Sequence, residues 1–397
     1  MENNSQERFM RAAIDLAKKG TGWTNPNPLV GSVIVKDNQI IGQGWHHKYG
    51  DLHAERDALR DCLERGNDAN GAHMFVTLEP CAHTGKQPPC VEAIVQAGIK
   101  KVTVGSRDPN PLVSGKGDAF LRANGVEVEE DFLREECDAL NFIFFHYITK
   151  RTPFVALKYA MTADGKIATV SGASKWISCQ ESRDYVHQLR SQYSCILCGI
   201  GTTLADDPLL TCRIEGGKNP TRIICDSNLR LPLESKLVQT ARDVPTIVAC
   251  RDNADPDFLA KEKALQEKGV QIIRAGSSCV DLRLLLKALG ERNLDSVLVE
   301  GGSKINFSFL EQGLAQKLYC FVAPKIFGGA APSPVGGQGI LEVSDAFGLA
   351  AKDARKIGSD FLIEYEVSGK NCDTEQDQKA AASFSESSNP GAKCSQE

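Results

Sequence analysis

The chain has 397 residues, 42% of them hydrophobic, which is long for a single core and makes two domains the starting expectation. A formal net charge of −5 supplies no broad positive field for a polyanion, so a small-molecule substrate is expected and nucleic acid is not, with a local basic pocket for phosphate still allowed. The opening MENNSQERFM has the features of neither a secretory leader nor a transit peptide, and no apolar run reaches the ~20 residues that span a bilayer, so a cytoplasmic protein without a membrane partner is expected.

In chain order, Phe9, Ala12, Ala13, Leu16 and Ala17 mark a helical stripe over residues 6–19 that ends before Gly20. Residues 30–35 and 40–44 flank Lys36-Asp37-Asn38-Gln39 and read as a hairpin. A helix over 53–63, a strand over 74–78, a helix over 90–97 after Pro88-Pro89 and a strand over 102–104 follow. The polar turn Lys150-Arg151-Thr152-Pro153 restarts the pattern and places a domain boundary near residue 150. Beyond it, strands are expected from 154, then over 195–198, 222–225, 246–249, 270–273 and 297–299, with helices between several of them. Alternating strands and helices make both domains α/β. Ser178-Cys179-Gln180-Glu181 has the spacing of a capping box. Cys195 and Cys198 fall three apart in a strand and read as core thiols, not a redox pair. Residues 369–397 are polar, with Phe384 their one aromatic, and are expected to be a disordered tail.

The strongest chemical signal is His53-Ala54-Glu55, followed by Pro80-Cys81 and by Cys90. One imidazole and two thiolates make three zinc ligands and leave the fourth tetrahedral position for a water, whose pKa zinc lowers towards ~7. Glu55 stands too close to His53 to be an obvious co-ligand and can move protons instead. Zinc deaminases carry H-x-E with P-C-x-x-C, whereas the cysteines here are spaced C-x8-C. Pro88-Pro89 would deliver Cys90 to the first turn of a helix, where the thiolate is favoured. His83 is the nearest candidate for a fourth protein ligand.

Asn27-Pro28-Leu29-Val30-Gly31, Gly44-Trp45-His46, the H-A-E triplet, the run from Thr77 to Lys86 and Arg107-Asp108-Pro109-Asn110-Pro111 resemble, in order, the deaminase domain of the bifunctional riboflavin-biosynthesis deaminase/reductases, C-x8-C insertion included. The resemblance implies a cytidine-deaminase-like fold over residues 1–150. It implies substrate contacts from Asn27, His46, His83, Lys86, Asp108 and Asn110, with Lys86 as the cation for a phosphate.

In the second half, Val297-Leu298-Val299-Glu300-Gly301-Gly302-Ser303 reads as strand, glycine turn and helix start, which aims backbone N–H groups at an anion, although such glycines also simply end strands. Gly199-Ile200-Gly201 begins a dinucleotide fingerprint, but its sixth position is Leu204. Residues 160–166, 172–177, 204–211 and 300–302 resemble the same family's reductase domain, which implies a dihydrofolate-reductase-like α/β fold over 151–368. The implied NADPH contacts are Ala160, Trp176, Thr202, Asp206, Ser227, Gly302, Ser303, Lys304, Ile305, Asn306, Phe307 and Ser308. The implied substrate contacts are Ser174, Arg190, Leu210, Arg213 and Glu300, with Lys158 and Asp206 organising the sugar. Trp176, as an aromatic, otherwise reads as core.

The resemblance spans roughly residues 6–367. It implies zinc-dependent deamination of 2,5-diamino-6-ribosylamino-4(3H)-pyrimidinone 5′-phosphate, then NADPH-dependent reduction of the ribosyl to the ribityl side chain. The alternative is another zinc nucleobase deaminase with a non-catalytic binding domain. Homo-oligomerisation is left open.

Overall fold

A computed structural model describes residues 2–83, 87–110 and 114–370. The first helix, α1 (Glu2–Lys18), precedes the hairpin β1 (Gly31–Lys36) and β2 (Gln39–Trp45), whose two-residue turn places Asp37 and Asn38 at φ 50° and 61°. Primed turns of this kind match the twist of the strands they join. Next come α2 (Ala54–Glu64), β3 (His73–Leu78), α3 (Cys90–Gln96), β4 (Lys101–Ser106), α4 (Lys116–Ala123), β5 (Glu127–Glu129), α5 (Arg134–Asp138) and α6 (Phe142–Lys150).

These strands form one sheet in the order β2-β1-β3-β4-β5, antiparallel across β2, β1 and β3 and parallel from β3 to β5. Alternate side chains take opposite faces. Val33, Val35 and Phe75 pack with Phe9, Met10, Ala13 and Ile14 of α1, while Ile34, Met74 and Val76 pack with Ala58, Cys62, Val91 and Ile94 of α2 and α3. Burial on both faces explains why β1 and β3 read as continuous apolar runs.

The chain continues through β6 (Phe154–Thr162), α7 (Gln180–Gln192), β7 (Cys195–Gly199), α8 (Ile200–Asp206), β8 (Thr221–Cys225), α9 (Lys236–Gln239), β9 (Thr246–Cys250), α10 (Pro256–Glu267), β10 (Gln271–Arg274), α11 (Leu282–Gly290), β11 (Ser296–Val299), α12 (Ser303–Glu311), β12 (Lys317–Ala323), β13 (Phe347–Ile357) and β14 (Asp360–Lys370). Strands β10-β9-β8-β7 run parallel over a core of Ile196, Ile224, Val248 and Leu265. Cys195 and Cys198 are fully buried in β7, as expected of core thiols. Strand β12 pairs in parallel with β6 and antiparallel with β14, which pairs with β13.

Contacts divide the described residues into two compact units, those up to Phe154 with Asp184–Leu298, and Val155–Arg183 with those from Val299 to Lys370. The capping box at Ser178 does not form as read. The helix starts at Gln180, and the Asp360 carboxylate instead accepts from the Cys179 N–H at 2.8 Å and from the Ser182 hydroxyl at 2.7 Å. Strand β14 runs two residues into the expected tail, and the rest of that tail, 371–397, lies outside the described residues. No helix among the described residues is long and apolar enough to cross a membrane.

Candidate functional site

Gly44 lets α2 lie directly on β2: a Cβ there would stand 2.3 Å from the Ala58 nitrogen and 2.7 Å from the Ala54 oxygen. This close approach sets the start of α2, where His53 is the N-cap and Glu55 lies in the first turn. Pro89 caps α3, so Cys90 is its first residue, and the Cys90 N–H donates to the Cys81 carbonyl at 3.0 Å. Arg56, unremarked in the sequence, ties the two helices together by donating to the Pro88 carbonyl at 3.2 Å and to that of Pro89 at 2.8 Å.

His53 Nδ1 lies 3.5 Å from Cys81 Sγ and 3.4 Å from Cys90 Sγ, and the three donor atoms all fall within 4.8 Å of one another. Zinc held at ~2.3 Å from sulfur and ~2.0 Å from nitrogen in a tetrahedron requires N···S edges of about 3.5 Å. The donor set therefore fits the ion in chemistry and in size. His83, the fourth-ligand candidate, is exposed and falls outside this cluster.

Glu55 is 3% exposed, and burial pushes its carboxyl up to about 6. A hydrogen bond from Cys90, and after it one with His53, pulls the Cys81 thiol down, while the same pairing with Cys81 pushes Cys90 up. One thiolate is thus already favoured before a cation arrives. His46 Nδ1 meets the Leu52 carbonyl at 2.9 Å, which leaves Nε2 to accept from Asn27 Nδ2 at 3.2 Å, and burial holds the ring below its ordinary value. Asp108 accepts from the Asn110 N–H at 2.8 Å, and burial raises its carboxyl to about 6.

A cavity of about 310 Å³ joins these groups. Asn27, His46, His53, Glu55, Cys81, His83, Asp108 and Asn110 all line it, so distant stretches of sequence converge on one site. Lys86 lies outside the described residues. Beyond those lining residues and the apolar Pro26, Pro28, Val30, Ala54 and Leu78, the wall includes residues that sequence reading did not assign to the site: Tyr49, Glu79, Phe144, Tyr147, Ile148, Arg151 and Asn293. Glu79 stands within the quoted run and could have been found; the others carry no local signal.

The residues assigned to the second reaction fall in both compact units. In the first, Thr202 and Asp206 lie on α8, Ser227 follows β8 with its hydroxyl accepting from the Val280 N–H at 3.1 Å, and Arg213 is exposed. Arg190 donates to the Thr211 carbonyl at 3.0 Å, and Leu210 is buried beside it in sequence. In the second unit, Ala160 and Lys158 lie on β6, Ser174 is half-buried in the loop after it, and Glu300 follows β11. Gly302 caps α12, whose first residues are Ser303, Lys304 and Ile305, so the strand, glycine turn and helix start form as read. Asn306 and Phe307 are buried, with Asn306 donating to the Pro334 carbonyl at 2.9 Å; Ser308 donates to the Lys304 carbonyl. Trp176 departs from the core expectation: it is 61% exposed, with the Arg183 guanidinium 4.7 Å from its ring centre. A cation can cover an exposed aromatic face without burying it.

Residues 3–106 match the cytidine and deoxycytidylate deaminase zinc-binding region, and residues 153–363 match the RibD C-terminal domain. The chain is 51% identical over 362 residues to the riboflavin biosynthesis protein RibD of Actinobacillus pleuropneumoniae, covering 90% of this chain and 94% of that protein. It is 42% identical over 358 residues to the RibD of Aquifex aeolicus, covering 90% and 97%. Among solved structures it is similar to the diaminohydroxyphosphoribosylaminopyrimidine deaminase/5-amino-6-(5-phosphoribosylamino)uracil reductase of Thermotoga maritima, with a TM-score of 0.82 and 41% identity over 92% of this chain and 100% of that one. Acinetobacter baumannii RibD is similar with a TM-score of 0.82 and 35% identity over 92% and 99%.

Proposed function

The chain belongs to the RibD family, the bifunctional deaminase/reductases of riboflavin biosynthesis, and from that premise we propose which of its residues carry each reaction and on what substrate. The first reaction exchanges the exocyclic amine of 2,5-diamino-6-ribosylamino-4(3H)-pyrimidinone 5′-phosphate for the oxygen of water and releases ammonia. The observation that carries it is the triad His53, Cys81 and Cys90, spaced for a tetrahedral ion beside the buried Glu55.

When bound, zinc supplies the Lewis acid that makes water nucleophilic at neutral pH. Glu55, raised to about 6, can take the proton that the water gives up and hand it to the ring nitrogen, then carry a proton to the departing amine. Asn27 and His46, locked to each other, present fixed polar groups to the ring edge. Residues 1–150 would form this deaminase domain.

Residues 151–368 would form the reductase domain, with NADPH as the nucleotide that supplies the hydride converting the ribosyl to the ribityl chain. The N-terminal N–H groups of α12, after the Glu300-Gly301-Gly302 turn, suit the dinucleotide phosphates.

Glu55→Gln is expected to keep one zinc per chain, to lose ammonia release by about 10²-fold or more, and to oxidise NADPH normally when the deaminated intermediate is supplied. Cys90→Ala should lose the metal, read by elemental analysis. Near-normal turnover in the first variant, or stoichiometric zinc in the second, refutes these roles. Gly302→Asp should weaken NADPH binding while ammonia release persists, and a mixture with the Glu55 variant should restore the ribityl product.

A further inference from the structure

Part of the cavity wall takes no share in the zinc chemistry. Phe144, Tyr147 and Ile148 come from α6, Arg151 is the C-cap of that helix, and Asn293 lies in the turn after α11. Arg151 is the one lysine or arginine among the described residues that line the cavity. The carboxylates of that lining are engaged elsewhere. Glu79 accepts from the Gly115 and Gly117 N–H groups at 3.0 Å each, Asp108 accepts from the Asn110 N–H, and Glu55 faces the Cys90 thiol. No carboxylate of the described residues forms an ion pair with the Arg151 guanidinium. Arg151 is exposed, and it borders a cavity whose other described lining is carboxylates, imidazoles, amides, tyrosines, a thiol and apolar groups, so a cation without a protein counter-ion is there for an incoming anion to meet.

The backbone under this side chain is held tightly. Arg151 sits in the left-handed region, φ 58° and ψ 20°, with its N–H bonded to the Tyr147 carbonyl at 2.9 Å. Gly290 packs on its carbonyl so closely that a Cβ would lie 2.3 Å from the Arg151 oxygen. The Tyr147 hydroxyl donates to the Gly290 carbonyl at 3.0 Å, with Asn293 Oδ1 3.2 Å away. The start of the guanidinium stem is therefore fixed by a turn almost 140 residues further along the chain.

We propose that Arg151 binds the phosphate ester of the deaminase substrate and that the turn after Gly290 positions it to do so. The planar fork of guanidinium N–H groups matches two phosphate oxygens at once, and such charge-assisted bonds are the strong ones. This assignment rests on the deaminase function proposed above.

The test uses the zinc-loaded full chain and measures ammonia release from the phosphorylated substrate and from its dephosphorylated ribosyl counterpart. The wild type is expected to prefer the phosphate ester. In Arg151→Gln the KM for the ester should rise about ten-fold or more, with kcat and the parameters for the dephosphorylated compound nearly unchanged. Arg151→Lys should recover part of the loss. Inorganic phosphate should inhibit deamination of the dephosphorylated compound competitively in the wild type and far less in Arg151→Gln. Gly290→Ala, which must displace the Arg151 carbonyl, should raise the same KM selectively. Zinc content and NADPH-dependent reduction of the deaminated intermediate report intact folding. An undiminished preference for the ester in folded Arg151→Gln overturns the assignment and leaves the deaminase function standing. A wild type that holds zinc and reduces the intermediate but deaminates neither compound overturns the function, and the assignment with it.

Discussion

Asp118 lies in the first turn of α4, only 3% exposed, and its Oδ1 has no hydrogen-bond partner among the described residues. Burial, then Glu79 and Glu130 nearby, push its carboxyl up to about 7, against the pull of Arg122 and Arg107. A raised folded-state value means the native state holds the proton more tightly than the unfolded chain. The stability this confers is full below the ordinary carboxyl value and disappears as the pH rises through about 7. Asp118→Asn removes the titration. Relative to wild type, the variant is expected to gain about 1–2 kcal/mol between pH 5 and pH 8 after allowance for solvent screening, read by chemical denaturation at both values. A difference independent of pH would show that Asp118 is ionised throughout. Individual residues of this kind were not legible in the sequence. Nothing in Lys116-Gly117-Asp118 says that Glu79, almost forty residues earlier, closes over the same turn.

The loop before β1 shows how an element can be readable while its anchorage is not. Asn27 was identifiable from its motif, and it does line the cavity. Its neighbour Asn25 donates to both oxygens of Asp295, at 3.1 and 2.8 Å, from 270 residues away. Asp295 is 1% exposed and also accepts from the Ser194 and Ser296 hydroxyls at 2.6 and 2.8 Å; burial raises its carboxyl even against these bonds. Asp295→Ala would leave several buried donors unsatisfied and is expected to cost about 3 kcal/mol of stability, with a larger proportional loss of ammonia release than of NADPH oxidation. Equal loss of both activities would reduce Asp295 to a general support of the fold. Where elements were legible, periodicity was the reason: α1, the β1–β2 hairpin and β7 through β11 carry apolar patterns that match their burial. Helix α6 went unread because FIFFHYITK is apolar on nearly every side and shows neither a helical stripe nor strand alternation.

Across the whole molecule, the zinc donors and Glu55 lie within the first 150 residues, whereas Arg151, Asn293 and Asp295 do not. A fragment of residues 1–150 retains the metal ligands but lacks those three side chains and the buried carboxylate that takes Asn25. It is expected to bind zinc and to melt well below the full chain, with a weakened preference for the phosphate ester. Equal melting temperatures in calorimetry would show that the later segment adds nothing to the stability of residues 1–150. The sequence by itself determined the chemistry of the metal centre. Its ligands come in short motifs, H-A-E at a helix start and P-C with a proline-led second cysteine, and local backbone preference already places such residues at helix N-termini. Only the tertiary structure decided what completes the cavity around it. The Arg151 cap meets the Gly290 turn through close backbone approach and the Tyr147 hydrogen bond, and Asn25 meets Asp295 through two more, between segments well over a hundred residues apart; contacts of that range leave no period, spacing or composition for a sequence to display.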